Sequence, residues 1–243
     1  MGRTLAIGDI HGGLKALKQL LHDIVKITAE DTIIFLGDYV DGWSESAQVV
    51  SYLIELGKEF DCIFMRGNHD DLTHQYLKNG TMTDRWVMHG GQSSIDGYAK
   101  LSPEEIEQHL RFFSEMQNYY VDDQNRLFVH AGFTNLHGPE SEYYDTGFYW
   151  DRTLWEMALA LDTSIEETSD LYPKRLQIFK EIFIGHTPVT RIGETFPVNK
   201  ANIWNVDTGA AFKGSISALE VNTKEVWQSD PVYTLYPNEN GRN

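Results

Sequence analysis

Three short apolar runs recur in the first third of the chain, at 4–8, 32–37 and 62–67, each closing on a glycine and each followed by polar residues. Between them, leucine, isoleucine and valine return at helical spacing over 14–27 and again over about 44–56. An apolar run bounded by turn residues reads as a buried strand, and apolar positions three and four apart read as an amphipathic helix. The alternation predicts β-α-β-α-β, an α/β fold with a parallel sheet covered on both faces.

Further along, 103–117 predicts an amphipathic helix, 126–132 a strand ending beside a histidine, and 153–161 and 173–179 helices. The last third returns to strands at 181–186, 201–209, 215–221 and 225–229. The segment 135–180, Tyr-rich at its start, matches no simple core element and is expected to cap a site. No Pro/Gly/Ser-rich linker, repeat or low-complexity run divides the 243 residues, so a single domain is expected over 1–243.

Composition narrows the partners. Formal net charge is −16 and no basic cluster interrupts it, which argues against nucleic acid and anionic membranes. The apolar runs are too short to span a bilayer, and the first residues pass straight into a strand without a leader pattern. Cys62 is the only cysteine and sits in the run CIFM, so it reads as a reduced core thiol. A cytoplasmic setting is expected.

Chemistry gathers at the strand ends. Asp9, His11, Asp38, Asn68, His130 and His186 each stand just after an apolar run and next to or near a glycine. Open α/β sheets build their sites at the carboxyl ends of strands. Carboxylate, imidazole and amide oxygen suit borderline divalent metals such as manganese, iron and zinc. Six such groups exceed the need of one tetrahedral ion, whereas two ions about 3.5–4 Å apart, bridged by one carboxylate, would use them all. Asp38, on the middle of the first three strands, is the natural bridge. Any one of these aspartates alone could equally be a helix cap or turn former. His22, His74, His109 and His137 fit no motif, His89 stays outside the metal set, and Asp207 reads as a strand-end turn at the margin of the site.

The motifs GDIHG, GDYVDG, RGNHD, VHAG and GHTP, in that order, resemble those of the calcineurin-like metallophosphoesterases, nearest to the branch shared by bacterial Ser/Thr phosphatases and diadenosine tetraphosphatases. The resemblance covers 5–209. It implies an α-β-β-α sandwich with a dinuclear metal site, holding two divalent ions, manganese foremost and iron or zinc as alternatives. By the same resemblance Asp9, His11 and Asp38 hold the first metal, and Asp38, Asn68, His130 and His186 the second. A metal-bridging hydroxide attacks phosphorus in line, His69 protonates the leaving oxygen, and Asp41 orients His69.

One position departs from the pattern. Relatives place a phosphate-gripping arginine directly after the second aspartate of GDxVD, and this chain has Gly42 there. Arginine suits that role because its planar fork binds two phosphate oxygens at once. Arg152, in a segment resembling the W-x-R of bacterial relatives, is the first candidate to compensate, and Arg66 the second. The leading functional reading is a phosphomonoesterase of the Ser/Thr protein phosphatase kind, acting on a phosphoprotein or small phosphoester. Alternatives are a dinucleoside polyphosphate hydrolase, with 143, 144 and 148–150 stacking a base, and an inactive metal-binding scaffold.

Overall fold

Period-two alternation decides where each strand sends its side chains, and here it builds three apolar layers. The computed structural model describes residues 2–242. In β1 (Thr4–Ile7) and β2 (Thr32–Phe35), Leu5, Ile7, Ile33 and Phe35 face outward to helices, while Ala6 and Ile34 face inward. The strands β3 (Asp61–Phe64), β4 (Tyr119–Val121), β5 (Arg126–Val129), β6 (Glu181–Ile184) and β7 (Val198–Lys200) follow. The last are β8 (Ile203–Asn205), β9 (Ser217–Glu220) and β10 (Val226–Gln228). One sheet runs β10-β9-β1-β2-β3 and the other β4-β5-β6-β8-β7. Strands β1 to β3 are parallel, as are β5, β6 and β8, while β9 on β1, β10 on β9, β4 on β5 and β7 on β8 pair antiparallel.

The sheets lie face to face. Ala6, Ile34, Leu36 and Met65 of the first meet Phe128, Phe183 and Val206 of the second, with the two phenylalanine rings stacked at 4.8 Å. Both rings are fully buried, so truncating either to alanine should cost about 3–5 kcal/mol.

Helices cover the outer faces. They are α1 (Leu14–Lys18), α2 (Ser46–Glu59), α3 (Asn68–Asn79), α4 (Asp84–Trp86), α5 (Gln92–Tyr98), α6 (Pro103–Glu115), α7 (Gly147–Trp150), α8 (Thr153–Ala160) and α9 (Val232–Leu235). Helix α2 turns Ala47, Val49, Val50, Leu53 and Leu56 onto the first sheet. Helix α6 starts at Ser102, whose hydroxyl accepts from Glu105 N while Glu105 accepts from Ser102 N, a reciprocal cap that fixes its first turn. On the far side, Phe148, Tyr149, Leu154, Trp155, Leu176 and Phe179 pack against Leu127, Val129, Ile182 and Ile184. The result is an α-β-β-α sandwich. Segment 135–180 supplies much of the outer layer of the second sheet, and among its residues Trp150 and Arg152 reach the cleft described below.

Several elements differ from the periodicity reading. The first parallel sheet is covered by helices on one face only, its other face being the second sheet. The expected helix over 14–27 is α1 continued by a wider π turn, Gln19–Val25, and stopped by left-handed Lys26. Residues 173–179 form only a 3₁₀ turn, Lys174–Gln177. Carbonyls in and after it are taken instead by side-chain amides, Asn202 donating to Leu176 O and Phe179 O and Asn125 to Ile178 O. Helix α3 and the edge strands β4 and β7 were not foreseen. No helix among the described residues is long and apolar enough to cross a membrane.

Candidate active site

Strand ends deliver the polar residues to one place. Asp9 and His11 follow β1, Asp38 follows β2, Asn68 and His69 open α3 after β3, His130 follows β5 and His186 follows β6. Both sheets therefore contribute, and all seven side chains are buried. Asp70 locks two of the loops together, accepting from the backbone N–H of Asp38 at 2.8 Å, Tyr39 at 2.9 Å and Gly67 at 2.9 Å. His69 N donates to Asp38 Oδ1 at 2.9 Å. The approach is so close that a Cβ at Gly67 would lie 2.2 Å from that oxygen, so only glycine fits there.

These loops bend sharply. His11, Asp38, Asp41 and His186 have φ of 51°, 55°, 67° and 68°, left-handed backbone that side chains rarely adopt. Such conformations cost about 1–3 kcal/mol each and persist where the surroundings impose them.

The donor set fits a pair of cations. His11 Nδ1 faces the carbonyls of Val40 and Asp41 at 3.1 and 2.9 Å, and His130 Nδ1 faces Leu36 O at 2.7 Å. A carbonyl can only accept, so each Nδ1 carries a proton and each Nε2 is the ring nitrogen turned inward, the atom that would meet a metal. His11 Nε2 lies 3.5 Å from Asp38 Oδ2 and 3.7 Å from Asp9 Oδ2. His130 Nε2 lies 3.4 Å from Asp38 Oδ2 and 3.4 Å from Asn68 Oδ1. These gaps are wider than ordinary hydrogen bonds and leave room for a shared ion. Ligand atoms of His11, Asp38 and His69 fall within 4.8 Å of one another, as do those of Asp38, His130 and His186, so Asp38 belongs to both groups. His186 Nε2 is buried with no hydrogen-bond partner.

Charge points the same way. Burial pushes Asp9 up to about 7 and Asp207 up to about 8, the latter helped by the negative charge of Asp9. Burial also raises Asp38, but His130, His69 and His11 outweigh it and hold that carboxyl well below the usual range. Burial is the largest single influence on His130 and lowers it, but Asp38, Asp9 and the Leu36 carbonyl together lift it to about 10. Burial, with the charges of His130 and Arg152, holds His186 far below its usual value. Buried carboxylates packed beside an unprotonated, unpartnered imidazole are the arrangement that a divalent cation would neutralise.

His69 and Asp41 form a separate pair. His69 Nδ1 donates to Asp41 Oδ2 at 2.7 Å, which leaves Nε2 facing the cleft. Asp41 is fully buried and also accepts from Trp86 Nε1 at 2.6 Å, Ser94 Oγ at 2.5 Å and Thr73 Oγ1 at 3.2 Å. Burial lowers the His69 pKa against the charges of Asp38 and Asp41.

The cleft over these groups has a volume of about 590 Å³. Arg152 lines it and donates to Thr187 Oγ1 at 2.9 Å. Arg66 does not line it: its guanidinium donates to Phe113 O at 2.7 Å and lies 3.9 Å from Asp71, beneath α3. The sequence reading missed Arg85, Arg191 and Arg242, which line the cleft with Arg152. It also missed the three donors to Asp41. Asp207 and His89 line the cleft as well.

The chain matches the calcineurin-like phosphoesterase family over residues 2–212. Among curated relatives, the bis(5'-nucleosyl)-tetraphosphatase PrpE [asymmetrical] of Oceanobacillus iheyensis is 26% identical over 233 residues, covering 90% of this chain and 88% of the relative. Serine/threonine-protein phosphatase 1 of Salmonella typhimurium is 24% identical over 219 residues, covering 88% of this chain and 90% of the relative. Among solved structures, a Saccharomyces cerevisiae protein serine/threonine phosphatase superposes with a TM-score of 0.62 at 14% identity, covering 94% of this chain and 80% of that one. Buried strand-end groups of the kind that bind divalent metal, a His–Asp pair beside them and a sandwich shared with phosphatases have one common account: the chain belongs to the calcineurin-like phosphoesterase family and is a hydrolase of phosphoric esters.

Proposed function

We propose that the chain cleaves a substrate carrying several phosphates in a row, a dinucleoside polyphosphate, in a cytoplasmic setting. The observation that carries this is the guanidinium count. Four arginines, Arg85, Arg152, Arg191 and Arg242, line one cleft in a chain whose net charge is −16. A phosphomonoester dianion has no use for that many, whereas a polyphosphate presents oxygens along its length. Two relatives' names, PrpE tetraphosphatase and Ser/Thr phosphatase 1, mark the two ends of the choice. Phosphomonoester hydrolysis is the second reading, supported by the latter. The catalytic side chains are all assembled, which speaks against an inactive scaffold.

In this reading Asp9, His11 and Asp38 would hold one divalent cation and Asp38, Asn68, His130 and His186 the other, manganese foremost. When bound, such a pair supplies Lewis acidity toward a water and the phosphoryl oxygens. His69, protonated at Nε2, gives its proton to the leaving oxygen, and Asp41 holds Nδ1–H and stabilises the imidazolium. The arginines hold phosphoryl oxygens in line.

The test is a comparison of diadenosine tetraphosphate, a phosphoserine peptide and p-nitrophenyl phosphate with manganese-loaded protein. The expected result is a kcat/KM for the dinucleotide roughly tenfold or more above the others, with nucleotide products resolved by chromatography. Preference for the monoesters would favour the second reading.

A further inference from the structure

A glycine at position 42 leaves a space, and the structure fills it from 200 positions downstream. A Cβ placed on Gly42 would lie 3.4 Å from Arg242 Cγ, and one on Gly90 would lie 3.0 Å from it. Gly42 N donates to Gly90 O at 3.2 Å, so these residues form a floor over which the Arg242 side chain runs. Gly42 has φ +126°, a glycine conformation, and neither residue carries a side chain that would block the passage.

The segment that brings Arg242 is firmly seated, and what seats it is the stretch just after Gly42. Trp43 stacks on Tyr236 at 5.4 Å and donates through Nε1 to Ala210 O at 2.8 Å. Ser44 donates twice to the Glu239 carboxylate, from N at 2.9 Å and from Oγ at 2.7 Å. Tyr236 OH bonds Glu45. Arg242 N donates to Ala211 O at 2.9 Å. Gly241 is wedged where a Cβ would meet both Ala211 O and the Trp43 ring at 2.7 Å.

The guanidinium stands at the cleft. It lies over the Phe212 ring at 5.4 Å and lines the cleft with His11, Asp38 and His69. Its Nε is buried with no hydrogen-bond partner. Its positive charge bears on His11 and His69, while that of Arg152 bears on His186. An ordinary packing arginine would spend its donors on carbonyls, as Arg66 does. We infer that Arg242 grips the substrate's phosphoryl oxygens, doing from the far end of the fold what an arginine at position 42 would do locally. This rests on the phosphoesterase reading for its substrate, but its test does not need turnover.

Inorganic phosphate is the probe, titrated calorimetrically into the full manganese-loaded chain. Arg242→Ala should weaken phosphate binding roughly 10- to 100-fold, the loss expected for a bidentate charged contact, and Arg242→Lys should recover part of it. Millimolar guanidinium should restore phosphate binding to Arg242→Ala, an effect that a structural role would not produce. Metal content and melting temperature of Arg242→Ala should match the parent. Unchanged phosphate affinity in Arg242→Ala, or lost affinity accompanied by lost metal, overturns the inference. A parent chain that hydrolyses none of the three substrates, while Arg242→Ala still loses phosphate affinity, would sink the functional reading and leave this one standing.

Discussion

The Nδ1 atom of His69 sits 2.7 Å from Oδ2 of Asp41, and the same oxygen takes the Trp86 indole N–H at 2.6 Å. The carboxylate is thus held on both sides and can tolerate only one orientation of the imidazole. His69→Asn removes the proton donor, and turnover should fall by roughly 10²–10⁴. Because His69 also lies within ligand distance of His11 and Asp38, metal content must be measured alongside. Retained metal assigns His69 to proton transfer; lost metal makes it a ligand.

Trp86→Phe keeps the ring and deletes one donor to Asp41. A hydrogen bond to a carboxylate is worth about 1.5–3 kcal/mol, so its loss predicts a roughly tenfold fall in kcat with KM and metal content unchanged. A fall as large as that of His69→Asn would mean that the indole positions more than the carboxylate.

Metal removal should be felt by the whole fold. Asp9 and Asp38 hang from one sheet and His130 and His186 from the other, so a cation held by these residues would tie the sheets together. With metal at 100 times its Kd, binding adds about 2.7 kcal/mol, or about 5–10 °C in Tm for a domain of this size. Calorimetry before and after chelation would show this shift, and Asp38→Asn should melt at the same temperature with and without metal.

A pH effect far from the site serves as a control on stability. His109 is buried on α6, with Nε2 at 3.0 Å from Ser51 Oγ and Nδ1 at 3.1 Å from Tyr98 OH. Burial pulls its pKa down from 6.5 to about 4, against the charge of Glu105. The unfolded chain therefore binds the proton first as pH falls below 6.5, and stability drops until the folded pKa is passed. Urea unfolding at pH 5 should show about 2 kcal/mol less stability than at pH 7.5 from this group alone. His109→Gln should flatten that part of the slope; an unchanged slope would assign it to other groups.

Much of the site was readable because its signals are local. Asp9, His11, Asp38, Asn68, His130 and His186 each break an apolar run, and the structure brings all six to one cluster. Arg66 looked equally local but is governed by parity. Met65 points between the sheets, so the next residue points away, toward α6. The donors to Asp41 were invisible for another reason. Trp86 and Ser94 reach it across 45 and 53 positions, and an indole or hydroxyl has many commoner uses. The edge strands β4 and β7 span three residues each, too short for a pattern to declare itself.

The left-handed turns at His11, Asp38, Asp41 and His186 carry a consequence for anyone who evolves this protein. Glycine accepts those angles without penalty, and at His186 the replacement would also remove an imidazole nitrogen buried without a partner. A library screened for heat resistance alone, without metal or substrate, should therefore drift toward glycine at His186 and return sturdier molecules that no longer turn over. Selection pressure for function has to be present from the first round.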